Sequence, residues 1–127
     1  MENHDPTTEK KLVALLRHDR RYPREAYEFI YEALGCASRL LKKSGHLTGQ
    51  ELCEGARQLA IDRFGYMART VLESWNIRRT DDFGTLVYNL IEAGLLHKAE
   101  GDSIDDFHDV FDFAEAFDRF RIELEAR

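Results

Sequence analysis

The stretch Leu90-Ile91-Glu92-Ala93-Gly94-Leu95-Leu96-His97-Lys98-Ala99-Glu100-Gly101-Asp102-Ser103, continued by Ile104-Asp105-Asp106-Phe107-His108-Asp109-Val110-Phe111-Asp112-Phe113, decides how the fold is read. Upstream of Gly94, the apolar residues Phe83, Leu86, Val87, Leu90 and Ile91 recur at helical spacing. Gly94 itself can adopt the left-handed conformation that ends a helix. Downstream the periodicity stops. Gly101-Asp102-Ser103 is turn chemistry and Phe111-Asp112-Phe113 alternates with a period of two, a pattern that predicts a β-hairpin with an acidic tip. Phe107, Phe111, Ala114 and Phe117 also fit a helical period, so the competing reading is a last helix reaching back to Ile104. With the hairpin preferred, that helix runs roughly from Ala114 to Ala126, buries Phe117, Phe120 and Leu124, and pairs Glu115 with Arg119.

Working back toward the N-terminus, Thr80 is positioned to cap the helix before Gly94. A short helix precedes it, with Met67, Val71, Leu72 and Trp75 on one side and Asn76 as its stop. Thr48-Gly49-Gln50-Glu51 has the spacing of a capping box, where hydroxyl and carboxylate each satisfy an orphaned backbone N–H. The helix it opens carries Leu52, Ala56, Leu59, Ala60 and Phe64 inward and ends at Gly65. Pro23 suits the first turn of a longer helix bearing Ala26, Ile30, Ala33, Ala37 and Leu40, widened by Phe29, Leu34 and Leu41 and stopped by Gly45. Thr7 or Thr8 caps a first helix with Leu12, Leu15 and Leu16 on one face. Residues 1–6 show no periodicity and are expected to be disordered, leaving a single domain over 7–127 of mainly α (α+β) class. Gly55 and Gly84 sit inside helical patterns, where glycine costs about 1 kcal/mol relative to alanine. Close helix–helix approach is the expected compensation.

Helices followed by a two-stranded hairpin, with Leu90-Ile91-Glu92-Ala93-Gly94-Leu95-Leu96 before it, resemble a winged-helix domain. That resemblance implies that the helix before the hairpin enters the DNA major groove and that the hairpin tip touches the backbone. A longer resemblance rests on Ala26-Tyr27-x-Phe29, His46-Leu47-x-Gly49-x-Glu51-Leu52, Phe64-Gly65-x-Met67-Ala68-x-Thr70-Val71-Leu72-x-x-Trp75 and Asp82-Phe83-Gly84-x-Leu86-Val87-x-Asn89-Leu90. These resemble a small family of uncharacterised bacterial proteins with no assigned activity, roughly from Ala26 to Phe117. The resemblance implies an organisation and no chemistry.

With 127 residues the chain can bury a single core without disulfides or metals. No apolar run approaches the roughly 18 to 20 residues of a membrane span, and the N-terminus lacks the cationic and apolar blocks of a signal peptide. Cys36 and Cys53, each in a helical pattern, read as small buried hydrophobes in a reducing compartment, so a cytoplasmic location is expected. The net charge of −6 is uneven: residues 1–43 carry +2, residues 44–98 carry −1 and residues 99–127 carry −7.

That distribution opposes the DNA-binding role. The outward face of the helix before Gly94 is Asp81, Asp82, Thr85, Tyr88, Asn89 and Glu92, with three acids and no base, and the expected wing adds Asp102, Asp105, Asp106 and Asp109. A duplex would be repelled. The expectation is therefore a noncatalytic protein-interaction module. Its contact surface is either the acidic C-terminal quarter, with Asp105, Asp106 and Asp109, or a patch of Trp75, Arg69, Arg78 and Arg79. Tyr66, Trp75 and Tyr88 are the aromatics expected to show an edge at the surface. The alternative is a nucleic-acid-binding transcriptional regulator of winged-helix type, with Arg17, Arg20, Arg21 and Arg24 on phosphates and Tyr22 stacked on a base.

Asp102-x-x-Asp105-Asp106-x-His108-Asp109, with His97 across the expected hairpin, lacks the spacing of a calcium loop and reads as solvated; no metal and no cofactor is expected. Cys53 with His46, or Glu51 as a base, are the catalytic combinations available. Glu51 is absorbed by the capping box and Cys53 by a helix face, so no enzyme is expected.

Overall fold

Helix α1 (Pro6–His18) opens the part of the chain that the computed structural model describes, residues 6–118. Its Leu12 and Leu15 are buried, so α1 packs by one apolar stripe. Residues 1–5 of the segment expected to be disordered lie outside the described residues, and Pro6 already belongs to α1. Helix α2 (Arg24–Leu41) follows with Pro23 as its extended N-cap, and ends because Lys42 turns left-handed at φ +51°. The stop expected at Gly45 thus falls three positions early. Helix α3 (Gly49–Phe64) opens with the expected capping box: Glu51 N–H donates to Thr48 Oγ1 at 3.1 Å and Thr48 N–H donates to Glu51 Oε1 at 2.8 Å.

The α2–α3 crossing fixes the centre of the molecule. A Cβ on Gly55 would stand 2.6 Å from Ala37 Cβ and 2.7 Å from the Ala33 carbonyl oxygen, so only glycine lets the backbones approach this closely. A 3₁₀ turn, Gly65–Met67, leads into the short helix α4 (Ala68–Ser74). Phe29 of α2 is the hub of the aromatic core, with ring centroids 6.4 Å from Phe64, 5.8 Å from Trp75 and 6.3 Å from Phe83. Trp75 is half-buried in that cluster.

Helix α5 (Thr80–Glu92) buries Phe83, Gly84, Leu86 and Leu90, and Gly94 takes the expected left-handed conformation beyond its end. Its start is not capped by Thr80. The Asp82 carboxylate accepts from the backbone N–H of Arg78 at 2.8 Å and of Arg79 at 3.3 Å, and Tyr22 donates its hydroxyl to the other oxygen at 2.6 Å.

The segment after Gly94 overturns the hairpin. Ile104–Phe107 is a 3₁₀ turn, Ala114–Asp118 is a π-helical turn, and there is no strand among the described residues. The fold is therefore helical, and without a hairpin the winged-helix architecture falls with it. The reason is non-local. Phe107 enters a notch between α3 and α5 in which a Cβ on Gly49 would lie 3.0 Å from its ring and a Cβ on Gly84 would lie 2.9 Å from it. Thr80, fully buried, donates its hydroxyl to the Phe107 carbonyl at 2.7 Å and accepts the Val110 N–H at 3.0 Å. Backbone groups that a hairpin would pair are thereby taken by a side chain. Ser103 and Asp106 close a reciprocal cap on the turn, with Asp105 N–H on Ser103 Oγ and Ser103 N–H on Asp106 Oδ2, both at 3.1 Å.

A continuous helix from Ile104 is not formed either, because His108 is extended and Asp109 is left-handed. The alternation Phe111-Asp112-Phe113 serves an aromatic cluster instead. Phe113 lies 5.7 Å from Phe111, 5.1 Å from Phe117 and 6.0 Å from Phe83, centroid to centroid. Arg119, Phe120 and Leu124 lie outside the described residues, and with them the expected Glu115–Arg119 pair. No helix among the described residues is long and apolar enough to cross a membrane.

Candidate functional site

The arginine patch expected from the sequence is partly assembled. Arg69, Arg78 and Arg79 line one cleft of about 310 Å³ together with Asp81, His108, Asp109 and Asp112. Arg69 is neutralised there by Glu73 and Asp118. Arg78 and Arg79 are exposed and form no ion pair among the described residues. Their backbones are held by Asp82, which is itself held by Tyr22, so the two cations project from a fixed turn. Trp75 does not join them at this cleft; it packs between Phe29 and Phe64. Tyr66, at 55% exposure, is the aromatic that reaches solvent most fully among the three expected to do so.

The acidic residues divide. Asp109 faces the arginine cleft, where its N–H donates to Asp81. Asp106 lines a different cavity, and Asp105 is exposed on the turn between them. His108 closes the cleft by an ion pair with Asp81 at 2.8 Å. The Asp81 carboxylate, bonded to it, raises the His108 imidazole above its ordinary value. At Asp81, burial pushes the carboxyl up, but the His108 and Asp109 hydrogen bonds outweigh it and the carboxyl lies below its ordinary value.

The second cavity, of about 390 Å³, lies between α2, α5 and the loops at 45–49 and 96–107. Leu34, Leu47, Val87, Ile91 and Leu96 are half-buried around it, beside Tyr88, Asp102 and Asp106. His46 and Asp102 join the two loops at 3.0 Å. The Tyr88 hydroxyl is closed to solvent and hydrogen-bonds to no described residue. Burial, and then the charges of Asp102 and Asp106, push this hydroxyl above the ordinary phenol value. Sequence reading assigned Leu34, Val87 and Ile91 to the core and missed this recess. The signal was present in Tyr88, an aromatic among the polar residues of the α5 outer face.

The N-terminal arginines are brought together only in part. Arg17, Arg20, Tyr22 and Arg24 line a shallow depression; Arg21 does not. Arg24 is bonded to Glu9, and Arg21 is bonded to Asp19, whose carboxyl those hydrogen bonds hold well below its ordinary value. Tyr22 is 3% exposed, lies under the Arg21 guanidinium and spends its hydroxyl on Asp82, so it has no face for a base. The α5 face that would meet a duplex is partly engaged within the fold: Asn89 donates to Asp19 and to the Tyr27 hydroxyl and Asp82 acts as a cap, while Glu92 stays exposed.

Cys53 is fully buried, and burial pushes its thiol up to about 12, the reverse of what a nucleophile needs. His46 stands apart from it on an exposed loop. Glu51 is occupied by Thr48 and Lys43. Among the described residues no three His, Cys, Asp or Glu side chains gather as a metal site. No protein-family model, curated protein or solved structure matches the chain, so its chemistry is read from these side chains alone.

Proposed function

We propose that the chain is a noncatalytic, cytoplasmic protein-interaction domain whose contact surface is the cleft at Arg78 and Arg79, and that its partner presents acidic side chains there. One observation carries this reading. Arg21, Arg24, Arg57, Arg63 and Arg69 are each ion-paired. Of the exposed arginines that form no ion pair among the described residues, Arg17, Arg20, Arg39, Arg78 and Arg79, only Arg78 and Arg79 are adjacent in sequence and stand on a turn whose backbone N–H groups are held by Asp82. In a chain of net charge −6, these two adjacent guanidinium groups present cations beside Asp81, Asp109 and Asp112, which share the cleft. Arginine loses little freedom when it forks onto a carboxylate, and it is enriched where binding energy concentrates.

The test is cross-linking capture from native lysate with the unaltered chain, Arg78→Glu/Arg79→Glu and Arg17→Glu/Arg20→Glu. The expected result is a partner lost with the first variant and kept with the second. Equal capture by all three overturns the assignment. A salt-sensitive electrophoretic shift of nucleic acid, abolished by Arg17→Glu/Arg20→Glu, would return the choice to the phosphate-binding alternative.

A further inference from the structure

The recess between α2 and α5 has a chemical character distinct from the arginine cleft. Aliphatic side chains alternate around it with the hydroxyls of Ser38, Thr48 and Ser103, and its size falls within the range of small-molecule sites. Beside the imidazoles of His46 and His97, its charged groups are of one sign: Asp102 and Asp106 line it, and no lysine or arginine does. Asp102 is engaged through both oxygens, by His46 and by the Ala99 N–H. Asp106 uses Oδ2 for the Ser103 N–H, while Oδ1 accepts no hydrogen bond from a described residue. The Tyr88 hydroxyl, in the field of both carboxylates, is likewise without a partner among the described residues.

An anionic ligand would meet repulsion here, and a purely apolar one would leave both oxygens unanswered. An ammonium group has three donors and no acceptor, and complements a carboxylate oxygen and a phenol oxygen together. We propose that this recess binds a small primary amine, its hydrocarbon body against Leu34, Val87, Ile91 and Leu96 and its ammonium group at Asp106 and Tyr88. The Tyr88 hydroxyl is covered in this structure, so the proposed binding includes a turn of its ring toward the recess. This site is independent of the protein contact at Arg78 and Arg79.

The experiment is a titration of the isotope-labelled full chain with three probes of one shape, cyclohexylmethylamine, cyclohexylmethanol and cyclohexanecarboxylate, followed by amide NMR. The amine is expected to shift amides at 34–38, 45–49, 87–91 and 96–107, binding about tenfold tighter than the alcohol and more than that over the carboxylate. Asp102→Asn/Asp106→Asn should abolish the preference for amine over alcohol. Ile91→Trp, which fills the recess, should abolish binding of both, and Leu34→Phe serves the same end if that variant does not fold. Absence of shifts, equal affinity for all three probes, or amine shifts that survive in a folded filled-recess variant each overturn the proposal.

Discussion

Thr80 and Phe107, 27 positions apart in the chain, are joined by a buried hydrogen bond from the Thr80 hydroxyl to the Phe107 carbonyl at 2.7 Å. The same hydroxyl accepts the Val110 N–H, so a single oxygen holds both ends of the segment that leaves the 3₁₀ turn. Thr80→Val keeps the shape and leaves a carbonyl and an N–H without their partner. The expected cost is about 2–4 kcal/mol, from two unsatisfied backbone groups. Thermal unfolding should show the loss, and amide exchange should open at 107–110 first. Thr80→Ser should retain most of the stability, and a Thr80→Val melting curve unchanged from that of the unaltered chain would remove this bond from its structural role.

Gly84 and Phe107 give a second test in which two effects compete. Gly84→Ala gains about 1 kcal/mol of helix propensity, yet its Cβ would lie 2.9 Å from three atoms of the Phe107 side chain. Overpacking costs about 1–3 kcal/mol, so the variant should be destabilised. The cost should shrink in a Phe107→Ala background, where two of those three atoms are absent. Gly55→Ala should be worse, because its contacts include backbone atoms of Ala33 and Ala37 that cannot move as a side chain can. Additive effects of the Gly84 and Phe107 substitutions in a double-mutant cycle would refute the packing account.

These two contacts also explain what is legible in the sequence. The Thr48–Glu51 capping box, the helical stripes of α2 and α5 and the Gly94 stop are local, and spacing alone carries them. Phe111-Asp112-Phe113 misleads because its alternation answers to Phe83 and Phe117 rather than to a neighbouring strand. Thr80 reads as a cap since nothing local shows that Asp82 does that work and that the Thr80 hydroxyl serves Phe107. The close packing expected at Gly55 is there, against α2; at Gly84 the neighbour is a phenylalanine from a turn, not a helix. The arginine cleft is half legible, as Arg78 and Arg79 are adjacent in sequence. The recess is not, because α2, α5 and two loops each supply only part of its wall.

The Asp81–His108 pair makes the closing of the arginine cleft pH-dependent. His108 has its folded value raised above 6.5 by Asp81, so its contribution is complete below 6.5 and is lost as pH rises through the raised value. Asp81 has its folded value lowered below 3.8, so its contribution is complete above 3.8 and is lost as pH falls through the lowered value. The pair therefore holds best from the ordinary carboxylate value up to the ordinary imidazole value. The His108 ring signals in NMR should titrate with a midpoint above 6.5, and Asp81→Asn should bring that midpoint back toward 6.5. Identical midpoints in the two proteins would show that the pair does not form in solution.

Tyr88→Phe separates the cost of the hydroxyl from its use. The oxygen is buried without a partner among the described residues, and removing it preserves the ring. Asp102 and Asp106 act on it electrostatically, and neither bonds to it. Leaving a buried polar group unsatisfied costs about 1–3 kcal/mol, so Tyr88→Phe should raise the melting temperature where most core substitutions lower it. A stabilised Tyr88→Phe that also binds the amine probe less tightly would mark a group kept at the expense of stability for a ligand. A destabilised variant would instead mean that the hydroxyl is satisfied in solution, and the measured melting temperature decides between them.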